Sequence, residues 1–257
     1  MGRAMAALTG HHAVVTGGGR GIGRACARAL ARTGATVTVL GRTEAPLKDA
    51  VSRGDAQGYA VADVTDPKAV AAALADAATA RGPVAILVAN AGAAESMSFA
   101  KSPPDLFRRM FETNTMGVVH AAQAVLGGMV ARGFGRIVVV ASTAGLKGYG
   151  YVSAYCAAKH AAVGLVRALA AETVRTGVTV NAVCPGYTDT DLVKASLDTI
   201  TAASGRSREE ALAALLKASP LGRLIRPDEV AAAVVSLCLP EAAAITGTAL
   251  PVAGGEI

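Results

Sequence analysis

Residues 13–23 read Ala13-Val14-Val15-Thr16-Gly17-Gly18-Gly19-Arg20-Gly21-Ile22-Gly23. A short apolar run with strand character enters a glycine-rich turn, and the turn opens the helical pattern Gly21–Arg32. Gly17, Gly19, Gly21 and Gly23 allow a tight turn and a close approach of backbone to a phosphate. The helix that follows offers unpaired N–H groups and a partial positive charge at its amino end. Thr16, Arg20 and Ile22 complete this loop. Glycines also serve ordinary turns; the strand–loop–helix context is what points to a nucleotide.

The same alternation extends through most of the chain. Strands are expected at Ala13–Thr16, Thr36–Leu40, Gly58–Val61, Val84–Ala89, Arg136–Ala141, Thr179–Cys184 and Ala249–Val252. Helices are expected at Gly21–Arg32, Pro67–Arg81, Leu106–Arg132, Ala154–Thr176 and Pro227–Leu237. Continuous apolar runs such as Ile137–Ala141 suit strands covered on both faces. Alternating strands and helices imply an α/β fold, a doubly wound parallel sheet of about seven strands with right-handed crossovers. The reading is one domain over residues 1–257, with a helical insertion at about 189–220 that Gly205 interrupts, placed where a lid over a ligand would sit.

Composition narrows the function. The chain is 52% hydrophobic and 17% charged, as a packed globular protein is. Its net charge of +6 is scattered along the sequence, and aromatic residues are only 4%, which argues against a nucleic-acid partner. No apolar run is long enough for a membrane span, and the start does not read as a signal peptide, with Met1 and Met5 both open as initiators. Cys26, Cys156, Cys184 and Cys238 form no CxxC pair or metal-type spacing, so no metal site is expected and reduced thiols suit the cytoplasm. His11 and His12 read as incidental polar residues, and His120 and His160 as packing or surface.

Two further signals concern chemistry. After the second strand, Gly41-Arg42-Thr43 stands where NAD-selective sites place a carboxylate for the ribose 2′-hydroxyl. Arg42 and Thr43 suit a 2′-phosphate instead, with Arg20 adding charge, so NADP(H) is expected over NAD(H). Arg42 could equally be a solvated surface residue. Tyr155-Cys156-Ala157-Ala158-Lys159 puts a phenol and an ammonium on one helical face, thirteen residues after Ser142 at the end of an apolar strand. Reducing a ketone takes hydride at carbon and a proton at oxygen. A lysine near the phenol is expected to lower its pKa from about 10, and Ser142 to orient the carbonyl.

With these residues assembled, the chain resembles the short-chain dehydrogenase/reductase family from Ala13 to Gly255. The shared motifs are Thr16–Gly23, Asp63-Val64, Asn90-Ala91-Gly92, Asn114, Ser142 with Tyr155 and Lys159, and Pro185-Gly186. Ala89 departs from the asparagine common there. The resemblance implies a Rossmann-type fold in which Asp63 and Val64 hold the adenine, and Asn90, Ala91 and Gly92 lie beside the cofactor ribose. It implies that Asn114 binds a water linking Lys159 to solvent, that Lys159 also holds the ribose hydroxyls, and that Pro185, Gly186 and Thr188 contact the nicotinamide. Residues Arg132–Val193 are especially similar to ketoreductases of β-ketoacyl thioesters, which implies a 3-oxoacyl group on coenzyme A or acyl carrier protein as substrate, and the family resemblance implies a homotetramer packed through the two long helices and the C-terminal strand. A dehydrogenase of a small or cyclic alcohol and a non-catalytic nucleotide-binding protein remain as alternatives. Arg132 and Arg175 are read either as a basic rim steering an anionic carrier to the lid or as ordinary helix-end cations.

Overall fold

The computed structural model describes residues 7–217 and 219–257; the choice between Met1 and Met5 lies outside them. Seven parallel strands, β1 (His12–Thr16), β2 (Thr36–Gly41), β3 (Gly58–Val61), β4 (Val84–Ala89), β5 (Gly135–Val140), β6 (Val178–Pro185) and β7 (Ala249–Val252), form one sheet in the order β3-β2-β1-β4-β5-β6-β7. The expected doubly wound sheet is borne out. Strand order reverses between β1 and β4, and in such sheets the crevice beyond the carboxyl ends at the reversal is where ligands bind.

One face of the sheet is covered by α1 (Gly21–Arg32), α2 (Glu44–Ser52) and α9 (Pro227–Cys238), the other by α3 (Pro67–Arg81), α5 (Gly117–Arg132) and α6 (Ser153–Thr173). Each face has its own aliphatic core, with Val15, Val37 and Leu30 on the first and Leu87, Ile137 and Met129 on the second. Local signals explain the ends. Asp66 caps α3 by accepting from the Lys68 and Ala69 amides ahead of Pro67, and Gly133 closes α5 in the left-handed region. All four cysteines are buried and free.

Three details differ from expectation. Helix α2 has no expected counterpart, because it is short, buries only Leu47 and Ala50, and carries Pro46 in its first turn, where proline is tolerated. The expected helix Leu106–Arg132 is divided into α4 (Pro104–Phe111), a π-helical turn Glu112–Met116 and α5. The Asn114 amide donates to the Met110 carbonyl at 2.9 Å and so competes for the acceptor that a regular helix would use. His12 is no incidental residue. It opens β1, is buried, donates Nδ1–H to the Gly82 carbonyl at 2.7 Å and accepts from the Thr38 hydroxyl at 2.8 Å.

The insertion after β6 forms α7 (Asp191–Ser204) and α8 (Arg208–Leu216), parted by Gly205 at φ +69. A single bridge between Thr188 and Ile225 ties its base together. Among the described residues no helix is long and apolar enough to cross a membrane.

The glycine loop is sterically committed. A Cβ on Gly23 would lie 2.3 Å from the Gly17 oxygen and 2.4 Å from the Asn90 amide nitrogen. Overpacking of this kind costs about 1–3 kcal/mol. Gly23→Ala is therefore expected to lower unfolding free energy by that amount in urea titrations, and unchanged stability would contradict this packing.

Candidate active site

The carboxyl ends of β1 and β4 are bonded together at the sheet's reversal. The Thr16 hydroxyl accepts from the Asn90 and Ala91 amides, both at 3.0 Å. The Asn90 side chain donates to the carbonyls of Thr16 at 3.0 Å and Gly17 at 3.3 Å. Gly17 must be glycine here, with φ +64 and only 2.8 Å between a Cβ and the Asn90 amide nitrogen.

Above this junction lies a cleft of about 310 Å³. It brings together Gly17, Arg20, Gly21 and Ile22 from the loop, Asn90, Ala91 and Gly92 after β4, and Asn114, Ser142, Tyr155 and Lys159. Pro185, Gly186 and Thr188 after β6 complete it. The first turn of α1 has no side-chain cap, so its amides face the cleft unengaged. A glycine-lined cradle ending at a helix amino terminus fits a dinucleotide's pyrophosphate.

Several expected residues stand outside the cleft lining. Thr16, Gly19 and Gly23 shape the loop from beneath, with Gly19 against Pro46 of α2. Val64 is buried, and its carbonyl accepts from His120 Nδ1 at 2.9 Å. Arg42, Thr43 and Asp63 lie at the ends of β2 and β3. Arg42 is largely exposed and 3.8 Å from an Asp63 carboxylate oxygen, a separation that contributes little. Burial raises the Asp63 pKa, but bonds from the Thr65 amide and hydroxyl, aided by Arg42, outweigh it and hold the carboxyl below its ordinary value.

Asn114 sits in the π turn, and such turns recur at functional sites. Its amide donates to the Ala93 carbonyl at 2.9 Å as well as to Met110, and its oxygen accepts from the Ala93 amide at 3.2 Å. The side chain is thus held in place by protein, with one lone pair of its oxygen not taken up by these bonds. A Cβ on Gly92 would be 2.8 Å from that oxygen and 3.6 Å from Lys159 Nζ, so Gly92 opens the passage between them.

Ser142 follows β5, and Tyr155 and Lys159 share one face of α6. The lysine does not act on the phenol as expected. Its Nζ donates to the Val140 carbonyl at 3.0 Å and lies 5.8 Å from the Tyr155 ring centre. Burial therefore dominates: the Tyr155 pKa is pushed up to about 12, with Ser142 pulling against it. Burial pushes Lys159 down to about 8. Burial thus moves both groups toward their uncharged forms.

A second cavity of about 850 Å³ adjoins the cleft at Ser142, Tyr155, Gly186, Leu192 and Val193. The insertion helices form one side and residues 94–98 and 142–152 the other. Four of the chain's five tyrosines, Tyr149, Tyr151, Tyr155 and Tyr187, line it. Sequence reasoning picked out only Tyr155; the signal available was the concentration of tyrosines between positions 149 and 187.

The carrier rim is corrected by the topology. Arg132 donates to the carbonyl of Val84, the first residue of β4, at 2.7 Å, and Arg175 precedes the start of β6. Ser142 and Pro185 lie at the carboxyl ends of a parallel sheet. Helices that return from those ends put their own carboxyl termini at the opposite edge, about 20 Å away across a six-residue strand.

The short chain dehydrogenase family profile matches residues 11–201. The chain belongs to that family. It is 38% identical to 3-oxoacyl-[acyl-carrier-protein] reductase of Vibrio harveyi, over 96% of this chain and 98% of the relative. It is 39% identical to galactitol 2-dehydrogenase (L-tagatose-forming) of Cereibacter sphaeroides, over 96% and 95%. A solved structure of a variant actinorhodin polyketide ketoreductase with NADPH superposes with a TM-score of 0.92 at 38% identity, covering 96% of this chain and 97% of that one. The chain is thus an oxidoreductase of this family, and the resemblance read from its motifs is borne out.

Lys159 gives the unliganded protein a pH signature. Its folded pKa of about 8 lies below the unfolded value of about 10.4. Between these values the unfolded chain binds more protons than the folded one, so stability rises with pH. The stability of wild type relative to Lys159→Met should climb from pH 8 to 10 in urea titrations. A difference that stays flat would contradict a buried, destabilised ammonium.

Proposed function

We propose that this chain is an NADP(H)-preferring reductase that converts a 3-oxoacyl thioester to its 3-hydroxyacyl form. The observation that carries this reading is the meeting of Ser142, Tyr155 and Lys159 where the cofactor cleft opens into the larger cavity. Gly17, Gly21 and Ile22 would hold the pyrophosphate, Asp63 and Val64 the adenine, Asn90 to Gly92 and Lys159 the ribose, and Pro185, Gly186 and Thr188 the nicotinamide ring. When bound, that group supplies the hydride. The protein's own part is proton delivery and alignment. Ser142 donates a hydrogen bond to the ketone oxygen, and Tyr155 delivers its proton to the same oxygen as the alcohol forms. Lys159 replenishes that proton along a route past Gly92 to a water held by Asn114.

The cavity favours this substrate class over the polyol alternative. Apolar groups, from Met97, Leu192, Val193 and the tyrosine rings, predominate in its walls over the hydroxyls of residues such as Ser96, Ser196 and Thr199, whereas a sugar alcohol calls for a mainly hydrogen-bonding lining. The two relatives named above, acting on an acyl thioester and a polyol at nearly equal identity, show that the catalytic motifs do not choose between them. Arg42 and Arg20 favour a 2′-phosphate, and the carrier would be coenzyme A or acyl carrier protein. The helices α7 and α8 would act as the lid. Exposed small residues, among them Gly127 and Gly128 on α5 and Gly164 and Ala168 on α6, favour close packing into a homotetramer, and the four reduced thiols favour the cytoplasm.

Two variants test the reading with acetoacetyl-CoA. Tyr155→Phe should lose ~10²- to 10⁴-fold in kcat while still binding NADPH, as removal of a general acid does; near-wild-type turnover would remove Tyr155 from the mechanism. Arg42→Asp should lower kcat/KM for NADPH about ten- to a hundredfold and alter NADH far less, the range for one charge-assisted bond. A wild type that already prefers NADH would refute the cofactor assignment.

A further inference from the structure

The penultimate residue carries a buried carboxylate beside the reacting centre. The Glu256 side chain is only 1% exposed. Its Oε1 accepts from the Tyr149 phenol at 2.5 Å and from Lys147 Nζ at 3.1 Å. The carboxylate is an acceptor only, so the single phenolic proton goes to it, and the Thr143 hydroxyl, 2.6 Å away, donates to the phenolic oxygen. The other carboxylate oxygen, Oε2, lies 3.0 Å from where a Cβ on Gly186 would stand. This one side chain, from the segment after β7, therefore ties down the segment after β5 that carries Ser142 and lies against Gly186 of the segment after β6.

Tyr149 faces the larger cavity with its ring, edge-to-face with Tyr187 at 6.3 Å between centroids. Its hydroxyl is spent on Glu256 and Thr143 and is not offered to a substrate. A phenol held at its hydroxyl by a carboxylate has its ring plane fixed, and Lys147, 5.0 Å from the ring centre, neutralises the carboxylate that does so. Thr143, next to Ser142 in sequence, belongs to the same network.

We propose that Glu256 is a positioning residue which, through Tyr149, fixes the wall beside Ser142 and so sets which face of the ketone is presented for reduction. The inference rests on the reductase reading. With one face pressed against a rigid ring, the two orientations of an unsymmetrical ketone differ in fit. With a mobile ring, they become more alike.

The test uses Glu256→Gln, Tyr149→Phe and the double variant, each with NADPH and the prochiral ketone that wild type reduces fastest. Both single variants should erode the ratio of product enantiomers by roughly tenfold, within the hundredfold that a 1 Å misplacement costs, while KM for NADPH stays put. The double variant should be no worse than either single, because the effect runs through one contact. In protein labelled with ¹³C-tyrosine, the Tyr149 ring signal, assigned by its loss in Tyr149→Phe, should shift in Glu256→Gln while that of Tyr59 does not. An unchanged enantiomer ratio with a lowered melting temperature would overturn the proposal, as would additive losses in the double variant or an unmoved Tyr149 signal. Absence of ketone reduction by wild type would instead overturn the reductase reading, and the ring signal would still decide whether Glu256 holds Tyr149.

Discussion

The hydroxyl of Thr16 accepts two amides from the far side of the sheet's reversal, and the floor of the cleft is built on that bond pair. β1 and β4 pair side by side as far as Thr16 and Ala89, and beyond them the connections leave for opposite faces of the sheet. Left alone, the main chain past that point would carry unpaired carbonyls after β1 and unpaired amides after β4. Thr16 and Asn90 satisfy them with each other, and the glycine loop then folds over the pair with no room for a Cβ at Gly17 or Gly23. The cleft is thereby given one rigid floor, against which Gly92, Asn114 and Lys159 take their places.

A tension runs through the upper part of the site. Burial serves the phenol of Tyr155, which stays protonated, and works against the ammonium of Lys159, which is pushed down to about 8. The lysine settles on the Val140 carbonyl rather than on the phenol. On the proposed reading this arrangement would keep a proton on Tyr155 for the ketone oxygen and bring the titration of Lys159 closer to neutral pH.

Much of this was legible in the chain itself. The strands announced themselves as apolar runs because both faces of a parallel sheet are covered, and the glycine loop because it stands between a strand and a helix. Ser142, Tyr155 and Lys159 stood out because strand end and helical face are both readable as patterns. Other features were hidden for physical reasons. Helix α2 buries too few residues to show a period, and the π turn at Asn114 comes from one side chain taking a backbone acceptor. The distance of Arg132 from the site depends on which end of a helix meets which edge of the sheet, not on separation in sequence. Glu256 and Tyr149 lie 107 residues apart, and no local pattern joins them.

Family membership assigns the reaction class, and the aromatic cavity between the insertion helices and residues 142–152 is what distinguishes this chain's reading from a polyol dehydrogenase on the same fold. The central claim is direct transfer between a reduced nicotinamide and a thioester ketone at Ser142 and Tyr155. A single-turnover reaction of NADPH, stereospecifically deuterated at the transferring position, with acetoacetyl-CoA tests it most directly. The account predicts 3-hydroxybutyryl-CoA carrying one deuterium at C3, seen by mass spectrometry. Product without deuterium, or no product with NADPH bound, would contradict it.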